Sequence, residues 1–76
     1  MRITCDPVKR EGTLSERGLD FLDADKVFSG RTGTITDDRK DYGETRFITA
    51  GHLDGRFVVL VWTPRGGDTR HIISMR

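Results

Sequence analysis

Arginine recurs through the last third of this chain, at Arg46, Arg56, Arg65, Arg70 and Arg76. A guanidinium stays charged at every ordinary pH and grips two phosphate oxygens with one planar fork. Glu44 lies two residues before Arg46, and both histidines, His52 and His71, fall in the same stretch. A sheet surface that gathers guanidiniums is built to hold an anion, either an RNA backbone or an acidic protein partner. Were RNA also to be cut there without a metal, three things would be needed: a group to take the 2′-hydroxyl proton, cations to neutralise the phosphorane, and a proton for the leaving 5′-oxygen. Arg46, Arg65, Arg70 and Arg76 are the candidate catalytic cations. His52 and His71 are the natural candidates for proton transfer near neutral pH, with Glu44 as a candidate base. The plain alternative is that these are solvated charges, with Glu44 and Arg46 a simple ion pair. Arg56 reads as surface.

The elements that must position these groups follow from local signals. Arg2 to Cys5 is β-prone. Asp6 then caps a helix with Pro7 at its first position, and Gly18 ends it after Arg17. That helix has a thin apolar stripe, Val8 and Leu14, so it is expected to be mostly exposed. A second helix starts at Asp20 and ends at Ser29-Gly30, with Phe21, Ala24 and Phe28 at helical spacing and Leu22 and Val27 widening the stripe. Thr34 to Thr36 is a short strand. Asp37 to Gly43 is charged and reads as a loop, with Arg39, Lys40 and Tyr42 as candidate RNA or partner contacts. Glu44 to His52, Phe57 to Thr63 and Thr69 to Met75 are three strands. Asp54-Gly55 marks a two-residue hairpin turn between the first pair. The order β-α-α-β-β-β-β predicts an α+β fold with the helices on an antiparallel sheet.

Strict alternation sorts the side chains by face. It puts Arg70, Ile72, Ser74 and Arg76 together, and Glu44, Arg46, Ile48, Ala50 and His52 together. If those faces coincide, Arg46, Arg70 and Arg76 converge. His71 then faces away from Arg70, towards a helix or an edge. Phe57 to Thr63 is nearly all apolar, as in a central strand covered on both faces. Phe21, Phe28, Phe47, Phe57 and Trp62 read as core.

Composition sets the remaining bounds. Seventy-six residues allow one domain, spanning 1–76, with a small core. The net charge of +1 does not by itself announce a nucleic-acid binder. The charge is uneven, however: residues 1–43 carry eight basic against nine acidic side chains, and residues 44–76 five against three. The single cysteine, Cys5, cannot form an internal disulfide. No apolar run is long enough to cross a bilayer and no signal peptide is apparent, which predicts a cytoplasmic location with no membrane contact. Neither a phosphate-binding glycine loop nor a zinc-ligand spacing occurs, so no cofactor or metal is expected.

Several stretches together resemble the BrnT family. They are the opening Ile-Thr-Cys-Asp-Pro, then Arg-Gly-Leu-Asp-Phe before the second helix, and Tyr-Gly-Glu-x-Arg-Phe-Ile-Thr. Val-Val-Leu-Val-Trp-Thr-Pro-Arg-Gly and the closing Arg-His-Ile-Ile-Ser-Met-Arg follow in order. The resemblance implies a RelE-like fold and an endoribonuclease toxin of a type II toxin–antitoxin pair, neutralised by a BrnA-like antitoxin with a ribbon-helix-helix part. Promoter DNA would then be bound only through the antitoxin, in a homo-oligomer or a toxin–antitoxin heterotetramer. Two departures stand out. Glu16-Arg17-Gly18 replaces a Lys-His-Gly of many relatives, and relatives carry a further C-terminal helix beyond the position of Arg76. The competing reading is a catalytically inactive module that binds the antitoxin or nucleic acid.

Overall fold

The first strand, β1 (Arg2–Cys5), runs directly into helix α1 (Pro7–Arg17). Asp6 has extended backbone and its carboxylate accepts from the Val8 N–H at 2.9 Å, with Pro7 at the first position. Gly18 closes the helix in the left-handed region at φ 68°, donating its N–H to Leu14. No residue of α1 is buried. A single 3₁₀ turn, Phe21–Asp23, capped by Asp20, leads into helix α2 (Ala24–Ser29). The strands β2 (Gly33–Thr36), β3 (Phe47–Leu53), β4 (Arg56–Arg65) and β5 (Thr69–Met75) complete a computed structural model that describes all 76 residues.

The five strands form one sheet in the order β1-β5-β4-β3-β2. β2–β3, β3–β4 and β4–β5 pair antiparallel, but β1 joins β5 in parallel. The sheet is therefore mixed, not antiparallel throughout. Asp54 (φ 51°) and Gly55 (φ 80°) make the β3–β4 hairpin with positive φ at both turn positions, the geometry that matches strand twist.

One face of the sheet is covered. Leu19, Phe21, Ala24 and Val27 from the helical segment pack with Leu53, Val58, Leu60, Trp62, Ile72 and Met75 from the sheet. α2 sits so close to β3 that a Cβ on Gly51 would lie 2.8 Å from Val27 Cγ1. Trp62 Nε1–H donates to the fully buried Thr49 Oγ1 at 2.8 Å, and Thr49 shares a second hydrogen bond of 2.8 Å with Thr34. A buried indole donor and a buried hydroxyl are thus both satisfied.

The other face is open. β4 is central, yet only one of its faces carries helices. Phe57 is 61 % exposed rather than part of the core, and Ile35 across the sheet is 66 % exposed. Apolar content alone did not distinguish a strand covered twice from one covered once.

Candidate active site

At the β4–β5 end of the open face, four ionisable groups from three segments come together. Thr63 Oγ1 donates to the Thr45 carbonyl at 2.7 Å, which ties the approach to β3 onto β4. That tie sets Glu44 and Arg46 beside Arg65. Arg46 Nε donates to Glu44 Oε2 at 3.0 Å, and Arg65 Nη2 lies 3.7 Å from Glu44 Oε1. One carboxylate therefore holds two guanidiniums. The Arg46 guanidinium also lies 4.0 Å over the Tyr42 ring, with Lys40 over the same ring at 5.3 Å. Such stacking fixes a flat cation without consuming its N–H donors.

His71 is the fourth member. It pairs across from Thr63, and Arg65 pairs across from Thr69, so Arg65 and His71 are diagonal neighbours. Continuing the β3–β4 register by one residue sets Arg46 on the other side of Thr63. Arg46 and His71 are thus two strands apart, roughly 10 Å at the usual strand spacing, with Thr63 between them. His71 Nδ1 is 2.9 Å from Thr4 Oγ1. Burial pushes the imidazole pKa below its ordinary value of 6.5, the positive charge of Arg65 pushes it the same way, and Glu44 opposes both more weakly. The ring is therefore neutral at pH 7.

The remaining sequence candidates lie elsewhere. Val61 pairs with Ser74 and Trp62 with Ile72, leaving Ile73 as an extra residue on β5. Such a bulge breaks the two-residue alternation. Arg70 and Ile72 consequently face the helices, while Ser74 and Arg76 face the open side. The expected convergence of Arg46, Arg70 and Arg76 does not occur. Arg70 lies against the Phe28 and Trp62 rings at 4.3 and 4.7 Å. Arg76 exchanges both backbone hydrogen bonds with Val59, toward the far end of β4. His52 stands beside Phe57, six residues along from Arg46 and so about 20 Å away. Arg39 is bound to the buried Asp37 at 2.8 Å, and holds that carboxyl down to about 2. Asp37 is thereby pinned where the sequence suggested a loose loop.

His71 was expected to pack against a helix or an edge. The parity of β5 relative to β4, which the bulge conceals, was the missing information. The strand has two fully buried side chains, Ile72 and Met75, and their odd spacing of three marks the extra residue between them. No three His, Cys, Asp or Glu side chains group as metal ligands. Cys5 packs against the core, and burial raises its thiol pKa.

Residues 6–76 match the family described as "Ribonuclease toxin, BrnT, of type II toxin-antitoxin system". The chain belongs to the BrnT family of ribonuclease toxins. Its fold also matches the 1.1 Å crystal structure of the Brucella abortus ribonuclease toxin BrnT, with a TM-score of 0.70 and 26 % identity. That match covers 100 % of this chain and 94 % of the Brucella chain. No curated protein matches the sequence. Membership of this BrnT family carries with it an RNA substrate and an antitoxin partner.

Proposed function

We propose that this chain is an endoribonuclease toxin that cuts RNA by metal-independent transesterification at the Glu44, Arg46, Arg65 and His71 cluster. The observation that carries the reading is the single carboxylate holding two guanidiniums beside a histidine whose pKa is lowered. Neutral His71 takes the 2′-hydroxyl proton. The 2′-oxygen then bonds to the adjacent phosphorus and the P–O5′ bond breaks. The departing 5′-oxygen takes a proton from solvent, leaving a 2′,3′-cyclic phosphate and a 5′-hydroxyl. Arg46 and Arg65, preset by Glu44 and Tyr42, stabilise the phosphorane with N–H donors that need not reorganise. Thr4 orients the imidazole through Nδ1, which leaves Nε2 for the proton transfer.

The antitoxin is a BrnA-like protein with a ribbon-helix-helix part. The exposed Ile35 and Phe57 on the apolar half of the open face support that half as its seat.

The test is a pH–rate profile in EDTA. Cleavage yields cyclic phosphate ends, and kcat/KM rises with pH through an apparent pKa below 6.5 and levels off at neutrality. His71→Gln lowers the plateau about 10²- to 10⁴-fold and removes the acid limb. An unchanged acid limb in His71→Gln excludes the histidine as base. An absolute need for a divalent ion excludes the metal-independent route.

A further inference from the structure

Three arginines of the chain are half-buried: Arg10, Arg46 and Arg70. Two of them have a carboxylate. Arg10 Nε bonds Asp20 Oδ1 at 2.7 Å, and Arg46 bonds Glu44 at 3.0 Å. Arg70 has neither an ion-pair partner nor a side-chain hydrogen bond. Two aromatic rings, inclined to each other at 78°, occupy that place: Phe28 and Trp62 brace its guanidinium at 4.3 and 4.7 Å. Ring faces fix a guanidinium's position but leave its in-plane N–H donors unsatisfied. A guanidinium held in place with its in-plane donors open is a ready seat for an anion from outside.

A cavity of about 230 Å³ opens at this guanidinium. Trp62, Pro64 and Thr69 line it with Arg70, and the open backbone of Gly66-Gly67 forms its rim. No atom lies within 4 Å of where a Cβ would stand on either glycine, so a ligand can approach the main chain there. Asp68 also lines the cavity, but its carboxylate is engaged by the Met1 amino group at 3.2 Å. The niche lies on the helix-facing side of the same sheet end that carries Glu44, Arg46, Arg65 and His71 on its open side.

We propose that the Arg70 niche is a phosphate subsite for the RNA strand, taking the backbone phosphate of a nucleotide that flanks the cleaved one. The strand passes over the Pro64–Gly67 turn from one face of the sheet to the other. Arg70 donates in-plane N–H groups to the phosphate, and Pro64 with the Trp62 edge meets the attached sugar. This deepens the cleavage reading and rests on it for the identity of the strand, but occupancy of the niche requires no turnover.

Trp62 is the only tryptophan and touches Arg70, so its emission reports the niche directly. The chain is titrated with a 2′-O-methyl RNA tetranucleotide, which cannot be cut, and separately with inorganic phosphate. The expected result is a saturable change in emission with the tetranucleotide. Arg70→Met raises its Kd roughly tenfold, the loss of one charge-assisted hydrogen-bonded contact. The slope of log Kd against log salt falls by about 0.7, the counterion release of one single-strand phosphate. Arg70→Lys keeps the charge without the flat stacking and falls between the two. It also carries the test if melting shows that Arg70→Met is unfolded. An unchanged Kd and salt slope in both variants overturns the proposal. A response to inorganic phosphate with none to the tetranucleotide overturns the RNA assignment. Failure of the cleavage reading shows instead in the His71→Gln pH profile, leaving this titration intact.

Discussion

The two faces of the sheet use the same residue types for different ends. In the buried interior of the covered face, polar groups are few and matched, Trp62 to Thr49 and Thr49 to Thr34, and Arg70 at the rim of that face stands apart from them. On the open face, at the end where β4 turns into β5, cations are gathered around a single carboxylate and left partly reachable, with Arg65 55 % exposed. The covered face is arranged so that removing an atom costs stability. The open end holds positive charge in excess of what stability requires. Arg46 and Arg65 share one Glu44, whereas Arg10 has an Asp20 of its own that is held down to about 2. Excess cation held rigid at a surface is poised for an anion, and a matched pair is not.

The largest test of this contrast separates activity from stability. Arg46→Ala or Arg65→Ala lowers RNA cleavage about 10²- to 10³-fold, the effect of losing one preset donor to a developing oxyanion. Both variants melt close to the parent, because ion pairs still reached by solvent contribute about 0–1 kcal/mol. Arg76→Ala, out of the cluster, leaves cleavage near the parent rate. RNA cleavage assays and thermal melts on the same preparations check all three. A large melting loss in Arg46→Ala without loss of cleavage per folded molecule reverses the assignment of the two faces.

Much of the fold was legible because its signals are local. Asp6-Pro7, Gly18 and Asp54-Gly55 each carry their geometry in one or two residues, and each adopts it. The helical spacing of Phe21, Ala24 and Phe28, widened by Val27, marked the covering stripe, but Leu22, read into the same stripe, is exposed. The parallel pairing of β1 with β5 was not legible, since no local feature of Arg2–Cys5 names its partner. The site was half legible. Glu44, Arg46 and Arg65 share the open face, but the bulge at Ile73 was silent in the sequence and turned Arg70 away from Arg76. That same shift brought His71 to the cluster. Arg70's aromatic braces come from α2 and β4, a tertiary fact with no sequence signature.

Substitutions on the covered face give the middle of the scale. Gly51→Ala forces a methyl to within 2.8 Å of Val27 and 3.1 Å of Thr32, which destabilises by about 1–3 kcal/mol as overpacking does. Thr49→Val keeps the shape but leaves the Trp62 N–H without its acceptor and costs about 1–2 kcal/mol. Denaturant midpoints measure both. Cleavage per folded molecule stays at the parent level in each, and a loss there much beyond the unfolded fraction links the two faces.

Acid acts on the matched pairs. Asp20, bound by Arg10 and the Leu22 N–H, and Asp37, bound by Arg39, both have folded pKa values of about 2, against 3.8 ordinarily. A depressed folded pKa means that the unfolded chain binds protons first as pH falls. The stability these groups add is therefore fully present above about pH 4 and is lost as pH drops towards 2. Asp20→Asn flattens that part of the pH–stability curve, measured by urea unfolding between pH 2 and 5. A slope unchanged by the substitution removes the Arg10 pair as its source.

The smallest expected effect probes the apolar half of the open face. Phe57 is 61 % exposed and meets only the edge of His52, with ring centres 5.8 Å apart. Phe57→Ser should change stability by no more than about 0.5 kcal/mol, the range of ordinary surface substitutions. A buried aromatic would instead cost about 3–5 kcal/mol on truncation. A loss of several kcal/mol that grows with protein concentration means that two copies bury Phe57 between them, and the open face is then covered in solution. A concentration-independent loss of that size means that the covering comes from this chain. A near-neutral result keeps Phe57 free for the antitoxin, and the Kd for that partner should then rise in Phe57→Ser while RNA cleavage holds.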